Sequence, residues 1–203
     1  MFDACAGVGP FAVPAAKAGA LVIANDLNPD SFKWLQVNCE KAKKKGHKVE
    51  CLNMDARDFI KGRVTEELIK LRKSDLETES KDEAANVRDI HITMNLPALA
   101  ITFLDVFRGL FKECPEWREV SNTLLPKVHA YGFSKAENKA ADIQERCEKY
   151  LGQKKSHEHC LLHAMKIQRL VLYAREEHNP LIQILLNEIK LNNLQPHHQS
   201  LLP

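Results

Sequence analysis

Four clusters of glycines, acids and amides punctuate the first half of the chain, each at the end of an apolar run. The first is DACAGVG, residues 3–9. An acid followed four and six residues later by Gly7 and Gly9 suits a turn where a ligand meets bare backbone and a side chain would collide. Gly-x-Gly alone also occurs in plain turns. The second is Asp26, roughly 20 residues further on, where an acid can accept both hydroxyls of a ribose. Asn28-Pro29 supplies the start of the next helix, which leaves Asp26 without a capping duty. The third is NMDARD, residues 53–58. An acid there can accept a hydrogen bond from the amino group of adenine, or it can cap a short helix. The fourth is Asn95-Leu96-Pro97, whose amide and carbonyls would face a substrate; the plainer use is a strand-to-helix turn.

The elements that must position these clusters alternate. Met1–Cys5, Leu21–Asn25, Lys48–Asn53, Asp89–Asn95 and Leu124–Phe133 read as strands. Helices are expected after Pro10, from Pro29 to Gly46, after Pro97, and over Lys135–Leu151. Phe32, Leu35, Cys39 and Ala42 share one face of the second helix, and Leu99, Phe103, Val106, Phe107 and Leu110 point inward from the third. Pro14 fits poorly inside the first. Repeated strand–helix alternation predicts an α/β protein with a parallel sheet covered on both faces. All four clusters then sit at the carboxyl ends of successive strands, where open α/β sheets bind ligands.

Two regions depart from this pattern. Residues 63–88 are densely charged and mixed in sign, and read as a surface insertion, partly helical or disordered. Residues 156–203 are a divergent C-terminal segment, partly helical or disordered, in which Leu181, Ile184, Leu185 and Ile189 make one amphipathic turn and a half. The ligand-binding domain is therefore expected over residues 1–155.

Composition narrows the class further. The 203 residues carry 29 Lys+Arg against 27 Asp+Glu, a net charge of +2, with 44% hydrophobic residues. These are globular values and exclude collagen-like and fully disordered chains. No apolar run approaches the roughly 18 residues of a membrane span, and no targeting peptide is visible at the start. The six cysteines are scattered without a C-x-x-C, which suits reduced thiols inside a cell.

The glycine spacing and the two downstream acids suit a nucleoside-type cofactor. Ala12 stands where a dinucleotide fingerprint tolerates alanine in place of its third glycine, so NAD stays open. S-adenosylmethionine (SAM) fits better. It has no pyrophosphate to seat on a helix N-terminus, and Pro10 removes one of the N–H groups that a pyrophosphate would use.

The segments AGVGPFAVPAAKAG, ANDLNPDSFKWLQVN, NMDARDF and MNLPALAITFLDVFRGL, followed by VHAYGFSK, together resemble the tRNA (guanine(37)-N1)-methyltransferases of eukaryotes and archaea. The resemblance covers roughly residues 1–150. It implies a Rossmann-like, class I SAM-dependent methyltransferase fold, here with an incomplete parallel sheet and helices on both faces. It implies that Gly7 and Gly9 form the cofactor turn, that Asp26 and Leu27 hold the ribose side of SAM, and that Asp55 and Ala56 hold the adenine side. Asn95 would lie beside the methyl group and target base, with Pro97 shaping that pocket. The substrate implied is the tRNA anticodon stem-loop, methylated at N1 of the guanosine next to the anticodon. In the family a glutamate base and an arginine donor lie upstream of the glycine turn, as does a separate tRNA-recognition domain, so all three are expected outside this chain. SAM binding weaker than in a complete enzyme follows, with little methyl transfer by the chain alone. A monomer in the cytoplasm is implied, with mitochondrial and nuclear pools in the family.

Two rival readings remain beside this one: a catalytically silent SAM- or RNA-binding remnant, and an N-methyltransferase with another target, since Asn-Leu-Pro also resembles the Asn-Pro-Pro turn of amino-group methylases. The remaining side chains have plain readings. Lys41, Lys43, Lys44, Lys45 and Lys48 form a solvated helix end more readily than an RNA contact. His157, His159, Cys160 and His163 crowd together, but two ligands spaced two apart do not share a helix face and no second cluster accompanies them, so no metal is expected. Phe103, Phe107 and Phe111 belong in or near the core.

Overall fold

A computed structural model describes residues 1–79, 88–112, 114–120 and 126–152, together with the backbone of 169–173. Among them, β1 (Phe2–Asp3), β2 (Val22–Asn25), β3 (Val49–Leu52), β4 (His91–Met94), β5 (Lys127–Tyr131) and β6 (Arg169–Tyr173) form one sheet. Its order is β3-β2-β1-β4-β5-β6, and every pairing is parallel. Chain order runs outward from β1 in both directions. The reversal falls between β1 and β4, and it opens a crevice at their carboxyl ends.

Alternation along the strands divides the core in two. Phe2, Ile23, Ile92, Met94, Val128 and Ala130 pack on one face. Val22, Ala24 and Val49 pack on the other, against α1 (Ala12–Lys17) and α2 (Pro29–Lys43). The expected start of α2 is present: Asn28 Oδ1 accepts from the N–H of Asp30 at 2.9 Å and of Ser31 at 3.4 Å. Leu35, Cys39 and Ala42 are buried, as their spacing requires. Pro14 is tolerated because it is the third residue of α1, where a backbone N–H has no partner to lose.

The charged region departs from its expected place on the surface. α3 (Ala56–Phe59) continues through a wide π turn over Ile60–Val64 into α4 (Thr65–Glu79). The Thr65 hydroxyl donates to the Ile60 carbonyl at 3.0 Å, which satisfies a group that the wide turn frees. Val64, Leu68 and Ile69 enter the core. Arg72 is 0% exposed; it donates to Asp75 at 2.9 Å and to the Arg88 carbonyl at 2.7 Å. Asp75 also pairs with Arg88 at 3.0 Å. The segment reads as charged because its ions are paired inside, and Leu68 shows which side faces the sheet.

Two further elements differ from expectation. The segment after Pro97 is a 3-10 helix, Ala100–Phe107, that buries Phe103, Val106 and Phe107 but leaves Leu99 exposed. The Thr102 hydroxyl and amide both donate to the Leu99 carbonyl, which favours the tighter winding. Phe111 stacks on buried Trp117 at 3.7 Å. α5 (Trp117–Val120) and α6 (Lys139–Leu151) complete the helices described, and β6 adds a strand where sequence pattern showed none. The remainder of the C-terminal segment, with its histidine cluster, lies outside the described residues.

Leu68→Ala should destabilise the chain by about 2–4 kcal/mol, the range for a buried leucine. Urea unfolding measures it; a loss within about 0.5 kcal/mol would return α4 to the surface.

Candidate functional site

The crevice is built from loops that leave β1, β2, β3 and β4 at the same edge of the sheet. Their height is set by Asn25, which ends β2 and is fully buried. Its amide nitrogen donates to the carbonyls of Ala4 at 3.2 Å and Met54 at 2.9 Å, and its amide oxygen accepts from Met54 N–H at 3.0 Å. One side chain thus links the ends of β1, β2 and β3. Sequence reasoning missed it, because an asparagine closing an apolar run looks like a strand terminator.

Asp26 holds the glycine turn. Its Oδ2 accepts from Gly7 N–H at 2.7 Å and its Oδ1 from Asn28 N–H at 2.9 Å. The acid therefore has a structural duty, contrary to the sequence expectation, although a carboxylate bonded once at each oxygen keeps lone pairs for a further donor. Asn53 fastens the other side, donating to the carbonyls of Asp26 at 2.7 Å and Leu27 at 3.0 Å. Leu27 projects into solvent.

The two glycines differ. Gly9 has φ +96°, and a Cβ there would meet Leu35 Cδ1 at 3.1 Å and Val13 Cγ2 at 3.2 Å. Gly9 is thus required by the packing of α1 on α2. Gly7 has φ +55°, and a Cβ would meet nothing within 4 Å. The space over Gly7 is open.

Asp55 caps α3, its Oδ1 accepting from Arg57 N–H at 2.7 Å, and Ala56 is buried behind it. Among the described residues Asp55 Oδ2 accepts no hydrogen bond. Arg57, also missed from sequence, grips Asp105 with two nitrogens at 2.9 and 3.2 Å and lies 4.7 Å from the Phe103 ring centre. That grip ties the β3 loop to the segment beyond Asn95 and Pro97. The register of β1 on β4 sets Asp3 opposite Thr93, so Asn95 emerges beside the glycine turn. Asn95 is half-buried, and its amide has no hydrogen-bond partner among the described residues.

Three acids converge here. The Cys5 thiol is pushed up to about 12, by burial first and then by Asp3, Asp26 and Asp55. Asp3 is 0% exposed, and neither carboxyl oxygen reaches a hydrogen-bond partner. Burial raises its pKa to about 7; the nearby Thr93 hydroxyl and Cys5 amide pull it part of the way back. The crevice therefore favours a cation. A cavity of about 530 Å³, lined by Met1, Leu21, Lys48, Lys70 and Arg88, lies at the amino edge of the sheet, away from this crevice.

Residues 1–74 match the family described as the TRM5/TYW2 methyltransferase domain. The tRNA (guanine(37)-N(1))-methyltransferase of Xenopus tropicalis is 44% identical over 166 residues, 82% of this chain and 31% of that protein. That of Mus musculus is 49% identical over 152 residues, 75% of this chain and 28% of that protein. Over residues 1–74 the chain is similar to the TRM5/TYW2 methyltransferase domain, and over about three quarters of its length it is homologous to these relatives. It spans under a third of the length of these relatives. The crystal structure of wild-type Trm5b from Pyrococcus abyssi aligns with a TM-score of 0.43 and 24% identity, over 74% of this chain and 34% of that one. Within the family's matched stretch lie Gly7, Gly9, Asp26, Leu27, Asp55 and Ala56; Asn95 and Pro97 lie beyond it. No helix among the described residues is long and apolar enough to cross a membrane.

Asp3 generates a pH test. The unfolded chain releases this proton near 3.8, whereas the folded state keeps it to about 7. The folded state binds more protons in that window, so stability from this group is full below it and falls as pH rises through about 7. Asp3→Asn should stabilise the ligand-free chain relative to wild type at about pH 8 and lose that gain toward about pH 4, read by urea unfolding at both. An equal effect at both would remove the buried-acid assignment.

Proposed function

We propose that the crevice binds S-adenosylmethionine and that the chain takes part in methyl transfer to N1 of guanosine 37 in tRNA. The convergence of Asp3, Asp26 and Asp55 on Cys5, two residues before the open turn at Gly7, carries this reading. SAM bears a positive sulfonium and an ammonium, and a crevice surrounded by carboxylates attracts both while repelling a pyrophosphate. The residues present fit the group: Asp3 is a fully buried acid, and the backbone over Gly7 is unobstructed. When bound, SAM supplies a methyl group on a positively charged sulfur.

The chain's own residues then have separate tasks. Gly7 and Gly9 keep the turn low. Asp26 accepts from the ribose hydroxyls with the lone pairs that Gly7 and Asn28 leave, and Leu27 covers that side. Asp55 offers its unused oxygen to the adenine amino group, above Ala56. Asn95 presents both a donor and an acceptor to the edge of the incoming base, and Pro97 fixes the turn that aims it. Methylation of N1 requires its proton to leave, and an amide cannot take it, so Asn95 positions the base while another group accepts the proton. The relatives' activity, methylation of guanine 37 in tRNA, supplies the substrate in this reading.

Calorimetric titration with SAM should show one site, weakened at least tenfold by Asp55→Ala and by Gly7→Ala. A chain that binds SAM equally well in all three forms overturns the crevice assignment. Methyl transfer to an unmodified tRNA transcript, read as a primer-extension stop at position 37, should appear when the part of the frog relative not spanned by this chain is added in trans. It should be lost with Asn95→Ala.

A further inference from the structure

The outward side of α2 differs from its buried side. Trp34 is 55% exposed, and Val37 also stands in solvent. Trp34, Val37, Asn38 and Lys41 share one helical face, being three or four residues apart. The Asn38 amide donates to the Val8 carbonyl at 2.9 Å, which joins this face to the glycine turn, where Val8 is exposed too. Between α1 and α2 runs a groove of about 360 Å³, lined by Val8, Pro10, Val13, Pro14 and Lys41, with Lys17 at its edge. Lys44 and Lys45 follow, both exposed.

Charge is uneven along this strip. The acids of α2 are Asp30, in its first turn, and Glu40, which Lys43 holds at 3.0 Å. Lys17, Lys41, Lys44 and Lys45 form no ion pair among the described residues. The strip thus starts apolar and aromatic at Val8 and Trp34 and ends positive at Lys44 and Lys45, about 15 Å beyond Trp34 along the direction of α2.

We propose that this strip carries the RNA flanking the base presented to the crevice, with Trp34 stacking an unpaired base and Lys17, Lys41, Lys44 and Lys45 meeting phosphates. The inference rests on the tRNA reading above and names a surface for it. An exposed indole offers a π-face that any base can use, and lysines beyond it neutralise phosphates without reading sequence. RNA answers both halves of the strip together, whereas an apolar protein face would leave four lysines uncompensated. The position also fits, because Asn38 on this face is bonded to Val8, the residue next to Gly7.

The test is tRNA binding by the full chain as a function of salt, for wild type, Trp34→Ala, Trp34→Phe and the fourfold lysine-to-glutamine variant. Trp34→Ala should weaken binding about tenfold and Trp34→Phe should restore most of it. The fourfold variant should flatten the slope of log affinity against log salt by about 3. SAM affinity and thermal midpoint should stay at wild-type values in every variant. Equal tRNA affinity and slope in all four proteins overturns the proposal. So does a wild type that binds SAM but no tRNA, an outcome that leaves the cofactor site standing. Loss of self-association on Trp34→Ala, with tRNA binding intact, would assign the face to a second copy and overturn it likewise.

Discussion

A single buried amide fixes the level at which the first three strands end. Asn25 has no water to turn to, and its hydrogen bonds to Ala4 and Met54 are the means by which the β1 and β3 loops are held to β2. Removing it strands one N–H and two carbonyls in a dry place, at about 1–3 kcal/mol for each group left unmade. The rest of the crevice depends on that level. Asp26 can reach Gly7 only because β2 ends at the bridging Asn25, one residue before it, and Asn53 can hold the Asp26 and Leu27 carbonyls only because β3 ends beside them.

The electrostatics of the molecule divide along α2. At the crevice end three acids surround Cys5, whose thiol stays protonated at neutral pH and so is no nucleophile. At the other end lysines gather with little to neutralise them. A net charge of +2 hides this polarity. A cationic cofactor and a polyanionic strand would each find an attractive region, and neither would compete for the other's.

Much of this architecture is legible in the sequence where physical signals are local. Asn28-Pro29 announces a helix start, and Leu35, Cys39 and Ala42 announce its buried side. The glycine turn and the acids at residues 26 and 55 stand out because each follows closely on an apolar run. Residues 65–79 are illegible for a specific reason: Arg72 and Asp75 are buried as a pair, so a helix packed on the core carries the composition of a surface one. Asp26 and Asp55 show the other limit. Their backbone partners, Gly7, Asn28 and Arg57, cannot be read from side-chain types. Arg57 and Asp105 meet across 48 residues, a distance that no periodicity spans.

The most direct measurement is amide chemical-shift mapping of the isotope-labelled chain titrated with S-adenosylhomocysteine. The largest changes should fall on Gly7, Leu27, Ala56 and Leu96, the backbone positions that ring the crevice. Changes gathered instead at Leu21, Lys48, Lys70 and Arg88, around the cavity at the amino edge, would contradict it.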